Sequence, residues 1–168
     1  GASRGPLAVS PDGSRVAFLA TAAGGSNRLW VRALDTLTAQ ELPGTDDASA
    51  PFWSPDSRFL GFFADGKLKK IDVSGGPAVT LCATPEFRGG TWNRDGIIVF
   101  SSTTGSALQK VSASGGVPSA ATVLGEGENY HTRPNFLPDG RHFVYRVGNG
   151  GIYVTSLDAP ARTLLIKN

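Results

Sequence analysis

Apolar residues recur along this chain in short runs with a spacing of two, and the runs themselves repeat. Val16 and Phe18, Leu60 and Phe62, Ile98 and Phe100, and Phe143 and Tyr145 each form such a pair. A period of two lays side chains in one row on a single face of a β-strand, whereas a helix needs spacings of three and four. One bulky apolar residue precedes each pair by six or seven positions: Val9, Trp53, Trp92 and Phe136. A further strand is predicted over 29–34, 68–71, 108–111 and 152–157, with Val31, Leu68, Leu108 and Val154 as its clearest column. A shorter fourth strand follows over 40–42, 79–81, 122–124 and 163–165. Gly or Pro interrupts nearly every window long enough for a helix, so the chain is predicted to be almost wholly β.

Between the single apolar residue and each pair lies a tetrapeptide with Asp always third: Ser10-Pro11-Asp12-Gly13, Ser54-Pro55-Asp56-Ser57, Asn93-Arg94-Asp95-Gly96 and Leu137-Pro138-Asp139-Gly140. Pro presets φ for the second position of a type I turn, and Gly tolerates the left-handed residue that closes a bulged hairpin. Asp12, Asp56, Asp95 and Asp139 are then structural turn residues that offer an acceptor to nearby amides. Successive copies start 44, 39 and 44 residues apart, a period that belongs to propeller blades among repeat architectures. The prediction is an all-β propeller region over 1–168 with four four-stranded antiparallel blades, at about 6–45, 50–84, 89–125 and 133–166.

Composition agrees with a loop-rich β protein. The chain has 168 residues, 22 of them Gly and 11 Pro, with 40% hydrophobic and only 18% charged residues. A chain of this length buries enough surface to fold without disulfides. Cys82 has no second cysteine to pair with and reads as a small buried residue. The net charge of +2 comes from basic and acidic residues scattered without blocks, so nothing calls for a nucleic-acid partner. No apolar run approaches a membrane span, and no basic-then-apolar leader opens the sequence.

Trp53-Ser54-Pro55-Asp56 followed by Phe62, and Ile152-Tyr153-Val154 followed by Leu157-Asp158, resemble the TolB-like, WD-repeat-like propeller repeat. Residues 51–59, 67–76 and 136–143 also resemble the C-terminal repeat region of acidobacterial receptor-like serine/threonine kinases. That resemblance implies a bacterial sensing or interaction module outside the cytoplasm, joined to a kinase domain through a membrane segment. The kinase motifs are not in this sequence: it has no Gly-rich loop with a strand lysine, no His-Arg-Asp and no Asp-Phe-Gly. The resemblance therefore carries over a fold and a binding role.

Candidate chemistry is sparse. Gly1-Ala2-Ser3-Arg4-Gly5 matches a hydrolase pattern but lacks the strand and helix that make a nucleophile elbow. The Gly-rich segments 125–128 and 148–151 lead into no helix that could hold a phosphate. His131 and His142 lie eleven residues apart without other metal ligands, and the turn carboxylates stand one per blade. Lys67, Lys69 and Lys70 read as a solvated strand face. No catalytic, cofactor or metal residues are assigned, and the expectation is a non-enzyme. In TolB-like propellers the strand before the tetrapeptide is innermost, so segments 45–50, 85–89 and 127–133 would open at the channel mouth. Arg88, Tyr130, His131 and Arg133 are the candidate ligand or partner contacts there. A protein, peptide or small ligand is the expected partner. The alternative is a structural half-ring completed by a second copy, and a hydrolase or lyase in the loops, resting on His131 near Glu128, stands third.

Overall fold

The computed structural model describes residues 7–21, 25–86, 89–102, 106–148, 150–159 and 161–167. Among the described residues, sixteen strands and no helix are present. They form four antiparallel meanders in chain order. The first blade is β1 (Ala8–Val9), β2 (Arg15–Thr21), β3 (Asn27–Ala33) and β4 (Ala39–Glu41). The second is β5 (Ser49–Trp53), β6 (Phe59–Ala64), β7 (Lys67–Asp72) and β8 (Val79–Ala83). The third is β9 (Gly90–Trp92), β10 (Ile97–Ser101), β11 (Leu108–Ser112) and β12 (Ser119–Ala120). The fourth is β13 (His131–Phe136), β14 (His142–Val147), β15 (Gly151–Ser156) and β16 (Arg162–Ile166). The blades fall into two compact units, Gly1–Ala83 and Thr84–Asn168, with two blades each.

In the first unit Ala17, Leu29, Val31 and Leu42 pack with Trp53, Leu60, Phe62 and Ile71. In the second, Val99 and Leu108 pack with Phe143, Tyr145 and Val147. The row predicted after each turn is buried in three blades: Leu60, Phe62, Ile98, Phe100, Phe143 and Tyr145 are all essentially inaccessible. In the first blade Ala17 takes the buried place, and Val16 and Phe18 are only half-buried on the opposite face.

Each turn places its fourth residue in the left-handed region, at φ 71° for Gly13, 58° for Ser57, 75° for Gly96 and 72° for Gly140. Asp12 Oδ1 accepts from the Ser10 hydroxyl and the Ser14 amide, and Asp56 Oδ1 accepts from the Ser54 hydroxyl and the Arg58 amide. Asp139 Oδ1 accepts from the amides of Arg141 and His142. The third turn is one residue shorter, and there Asn93 Oδ1 accepts from the amides of Asp95 and Ile97. The turns also tie neighbouring blades within a unit. The Asp12 amide donates to Ser57 Oγ (3.1 Å), and Asn93 Nδ2 donates to the Gly140 carbonyl (2.7 Å).

Two expectations about strands are corrected. The fourth strand of the third blade is Ser119–Ala120 and not 122–124, because the Ala121 and Thr122 amides both turn onto the Leu108 carbonyl and end the ladder. The column of the third strand is Leu29, Leu68, Leu108 and Ile152, since Leu19, Phe63, Ser101 and Arg146 stand opposite them at equivalent positions. Val31 and Val154 lie two residues further along.

Candidate functional site

The first strand of a blade carries a β-bulge at the same place in the second and fourth blades, between Ser49 and Phe52 and between Thr132 and Asn135. Three residues before the apolar residue that ends each first strand stand Ala50, Gly89 and Arg133, with φ of 41°, 109° and 53°. A left-handed residue costs about 1–2 kcal/mol unless it is glycine. Bulges of this kind bend the strand and re-aim one side chain. Arg133 takes this conformation with its side chain exposed. A Cβ on Gly89 would come 3.7 Å from Arg133 Cα, so the entry to β9 lies against this bulge.

Tyr130 lies half-buried just before β13, and its carbonyl accepts the Gly148 amide (3.0 Å). Its ring covers Gly148 so closely that a Cβ there would lie 2.6 Å from Tyr130 Cζ. Arg88 lies outside the described residues. His131, expected in an open loop, is the first residue of β13 and only 1% exposed. The reason is local: Val147 stands opposite it in the ladder, and the Tyr145 ring packs 4.8 Å from its own.

Behind the strand His131 joins a polar network that the sequence shows only in part. His131 Nε2 lies 3.0 Å from Glu128 Oε2, and Nδ1 lies 2.8 Å from Thr122 Oγ1. An ionised carboxylate only accepts, so Nε2 carries the hydrogen and Nδ1 accepts from the Thr122 hydroxyl. Glu128 also accepts two guanidinium bonds from Arg162, at 2.7 and 2.8 Å, and one from the Gly125 amide at 2.7 Å. Those bonds, led by Arg162, hold the Glu128 carboxyl at about 2, and Glu128 in turn raises the Arg162 guanidinium further. Burial pushes the His131 imidazole below its ordinary value against the opposing pull of Glu128, so the ring is neutral at pH 7. Arg162 stacks 4.7 Å over the Tyr153 ring and bonds the Tyr145 hydroxyl, whose pKa burial raises. A Cβ on Gly125 would fall 2.6 Å from Arg162 Nη2, so a larger residue there would displace the guanidinium from Glu128.

Thr122, His131 and Glu128 stand in the order of a nucleophile, a base and an orienting acid. The Thr122 hydroxyl, however, accepts the Leu108 amide (2.9 Å), and Thr45 makes the same bond to the Leu29 amide (3.0 Å) at the corresponding corner of the first blade. Thr45 does so with no histidine bond, so this threonine is a cap for the third strand. The other first-strand segments hold local contacts: Asp46 accepts from Ser26 and Arg28, and the Thr84 hydroxyl donates to the Glu86 carbonyl. Lys69 pairs with Asp65, and His142 with Asp139, each at 2.6 Å. Among the described residues no three His, Cys, Asp or Glu side chains gather into a metal-holding group.

Comparison with solved structures shows the fold. TolB from Acinetobacter baumannii superposes with a TM-score of 0.72 at 17% identity, over 96% of this chain and 43% of its own. A TolB-like protein from Agrobacterium tumefaciens, described as a putative TolB, gives 0.80 at 15% identity, over 99% and 63%. A puromycin-hydrolyzing peptidase from Mycobacterium tuberculosis gives 0.73 at 15%, over 98% and 29%. The chain thus spans 43% and 63% of the two TolB-type chains and has the all-β architecture of TolB-like propeller blades. No protein-family model matches the sequence, and no curated protein matches it.

Proposed function

We propose that this chain is a non-catalytic binding module whose contact surface in residues 84–168 is the bulged start of β13. Arg133 is the central contact, with Tyr130 beside it, and the partner is a protein or peptide. The observation that carries this reading is an exposed arginine held in a left-handed bulge. The left-handed place itself belongs to the blade, since Ala50 and Gly89 hold it in the neighbouring copies, and what is peculiar to the fourth blade is that a long cation stands there with its side chain exposed, re-aimed by the bulge. His131 contributes by holding the base of the strand. The strand cap made by Thr122 speaks against hydrolysis through His131. The test is selection of displayed peptides on the intact chain, followed by binding to Arg133→Ala and Tyr130→Ala. Loss of binding by both, with folding retained, supports the reading, and binders indifferent to both substitutions end it.

The resemblance of residues 51–59, 67–76 and 136–143 supports a place for this module outside the cytoplasm of a bacterium, as the sensing part of a larger receptor-like protein. A coding sequence upstream with a kinase domain and an apolar span fits that reading. A second reading, in which terminal blades meet a second copy, is favoured by Val9 in the first blade and Ile166 in the fourth. Both are about 60% exposed despite lying in strands. Sedimentation showing only monomer at high concentration removes it.

A further inference from the structure

Between the outer strands of the third and fourth blades lies a cavity of about 370 Å³, within the range of small-ligand sites. It shares no lining residue with the β13 surface of Tyr130 and Arg133. Its apolar walls are Ala121, Leu124 and Leu157, and Lys110, Tyr145 and Arg162 reach it from two different blades. Sheets that diverge outward leave such a wedge at any blade junction, and the first unit has one of about 400 Å³. The chemistry differs there. The positions matching Lys110 and Tyr145, three and four strand pairs from the turn, are Val31 and Phe62 in that unit, so the fold does not impose the polar set.

Tyr145 is 1% exposed, and its hydroxyl accepts from Arg162. Arginine donates only, so this contact leaves the hydroxyl's own hydrogen available to another acceptor. Tyr145 lines the cavity. The Lys110 ammonium makes no ion pair among the described residues and lines the same space. Arg162 keeps Glu128 neutralised, so the carboxylate nearest the cavity base does not oppose an anion. Asp158 at the rim is taken up by Arg141.

We infer that this wedge is a binding site for a small monocarboxylate with a short apolar body, whose oxygens accept from Tyr145 and Lys110. Hexanoate is the probe, with hexan-1-ol and hexylamine as the neutral and cationic counterparts, titrated into the isotope-labelled intact chain and followed by amide NMR. Hexanoate gives saturable shifts at Thr122, Leu124, Tyr145 and Ser156, the alcohol binds more weakly, and the amine does not bind. Lys110→Gln and Tyr145→Phe each weaken hexanoate about tenfold, the effect of one charge-assisted hydrogen bond. Should Tyr145→Phe fail to fold, Lys110→Gln alone decides. Absence of saturation, equal binding of the alcohol or amine, or indifference to Lys110→Gln overturns the assignment. Arg133→Ala binds hexanoate as the parent does, so this result and the peptide result are read separately.

Discussion

Replacing Glu128 by Gln keeps the shape of the buried network and removes its one negative charge. Glu128 is 10% exposed and receives four hydrogen bonds: two from Arg162, one from the Gly125 amide and one from His131. Its carboxyl sits at about 2 in the folded chain against an ordinary 4.5. At roughly 1.4 kcal/mol per unit this difference is worth about 3 kcal/mol of folding free energy at pH 7. Because the folded value is the lower one, the contribution is complete above pH 4.5, declines as pH falls and is gone once the folded carboxyl protonates near 2. Glu128→Gln should therefore be about 3 kcal/mol less stable than the parent at pH 7, and the two should converge at about pH 2. Asp12, Asp72 and Asp139 are also held at about 2 by their turn hydrogen bonds, but they are common to both proteins and cancel in the difference. Urea unfolding followed by far-ultraviolet circular dichroism at the two pH values measures it. An equal deficit at both, or a deficit below about 0.5 kcal/mol at pH 7, refutes the view that charge and not shape holds this junction.

Other substitutions test the blades themselves. A Cβ on Gly61 would lie 2.3 Å from Phe52 Cζ, so Gly61→Ala should cost about 1–3 kcal/mol in thermal unfolding, and adding Phe52→Leu should recover part of it. Ser57→Gly relieves a left-handed serine but loses the bond to the Asp12 amide, so it should be near neutral. Ser57→Ala keeps the strain, loses the bond and should cost about 1 kcal/mol by urea titration. The Cys82 thiol is buried and burial raises its pKa, so an aromatic disulfide reagent at neutral pH should label it only after denaturant is added; rapid labelling of the native chain contradicts its position.

The blades were legible because each copy carries its own punctuation. The Ser-Pro-Asp-Gly turn fixes a left-handed residue and with it the boundary between the first two strands, and the apolar pair beyond it marks the buried face in three blades; in the first, Val16 and Phe18 lie opposite the buried Ala17, because which face is covered depends on the neighbouring blade. Outer strands lack such a marker. Their position depends on hairpin lengths that vary from the two-residue Asp65-Gly66 turn to the longer link between Thr21 and Asn27, and in the first and fourth blades the column falls on Leu29 and Ile152, two residues before Val31 and Val154. The site was legible only where one segment carried it. Tyr130, His131 and Arg133 lie within four residues of sequence, but Glu128 acquires its meaning from Arg162, thirty-four residues on, and Thr122 acquires its meaning from the amide of Leu108. A period-two reading also assigns Tyr145 to the apolar row and stops there, since the phenolic oxygen matters only once Arg162 is known to lie against it. Repetition therefore reveals what four blades share, and the chemistry peculiar to this chain lies where one blade departs from the others: lysine for valine at 110, tyrosine for phenylalanine at 145, and arginine at the left-handed position 133.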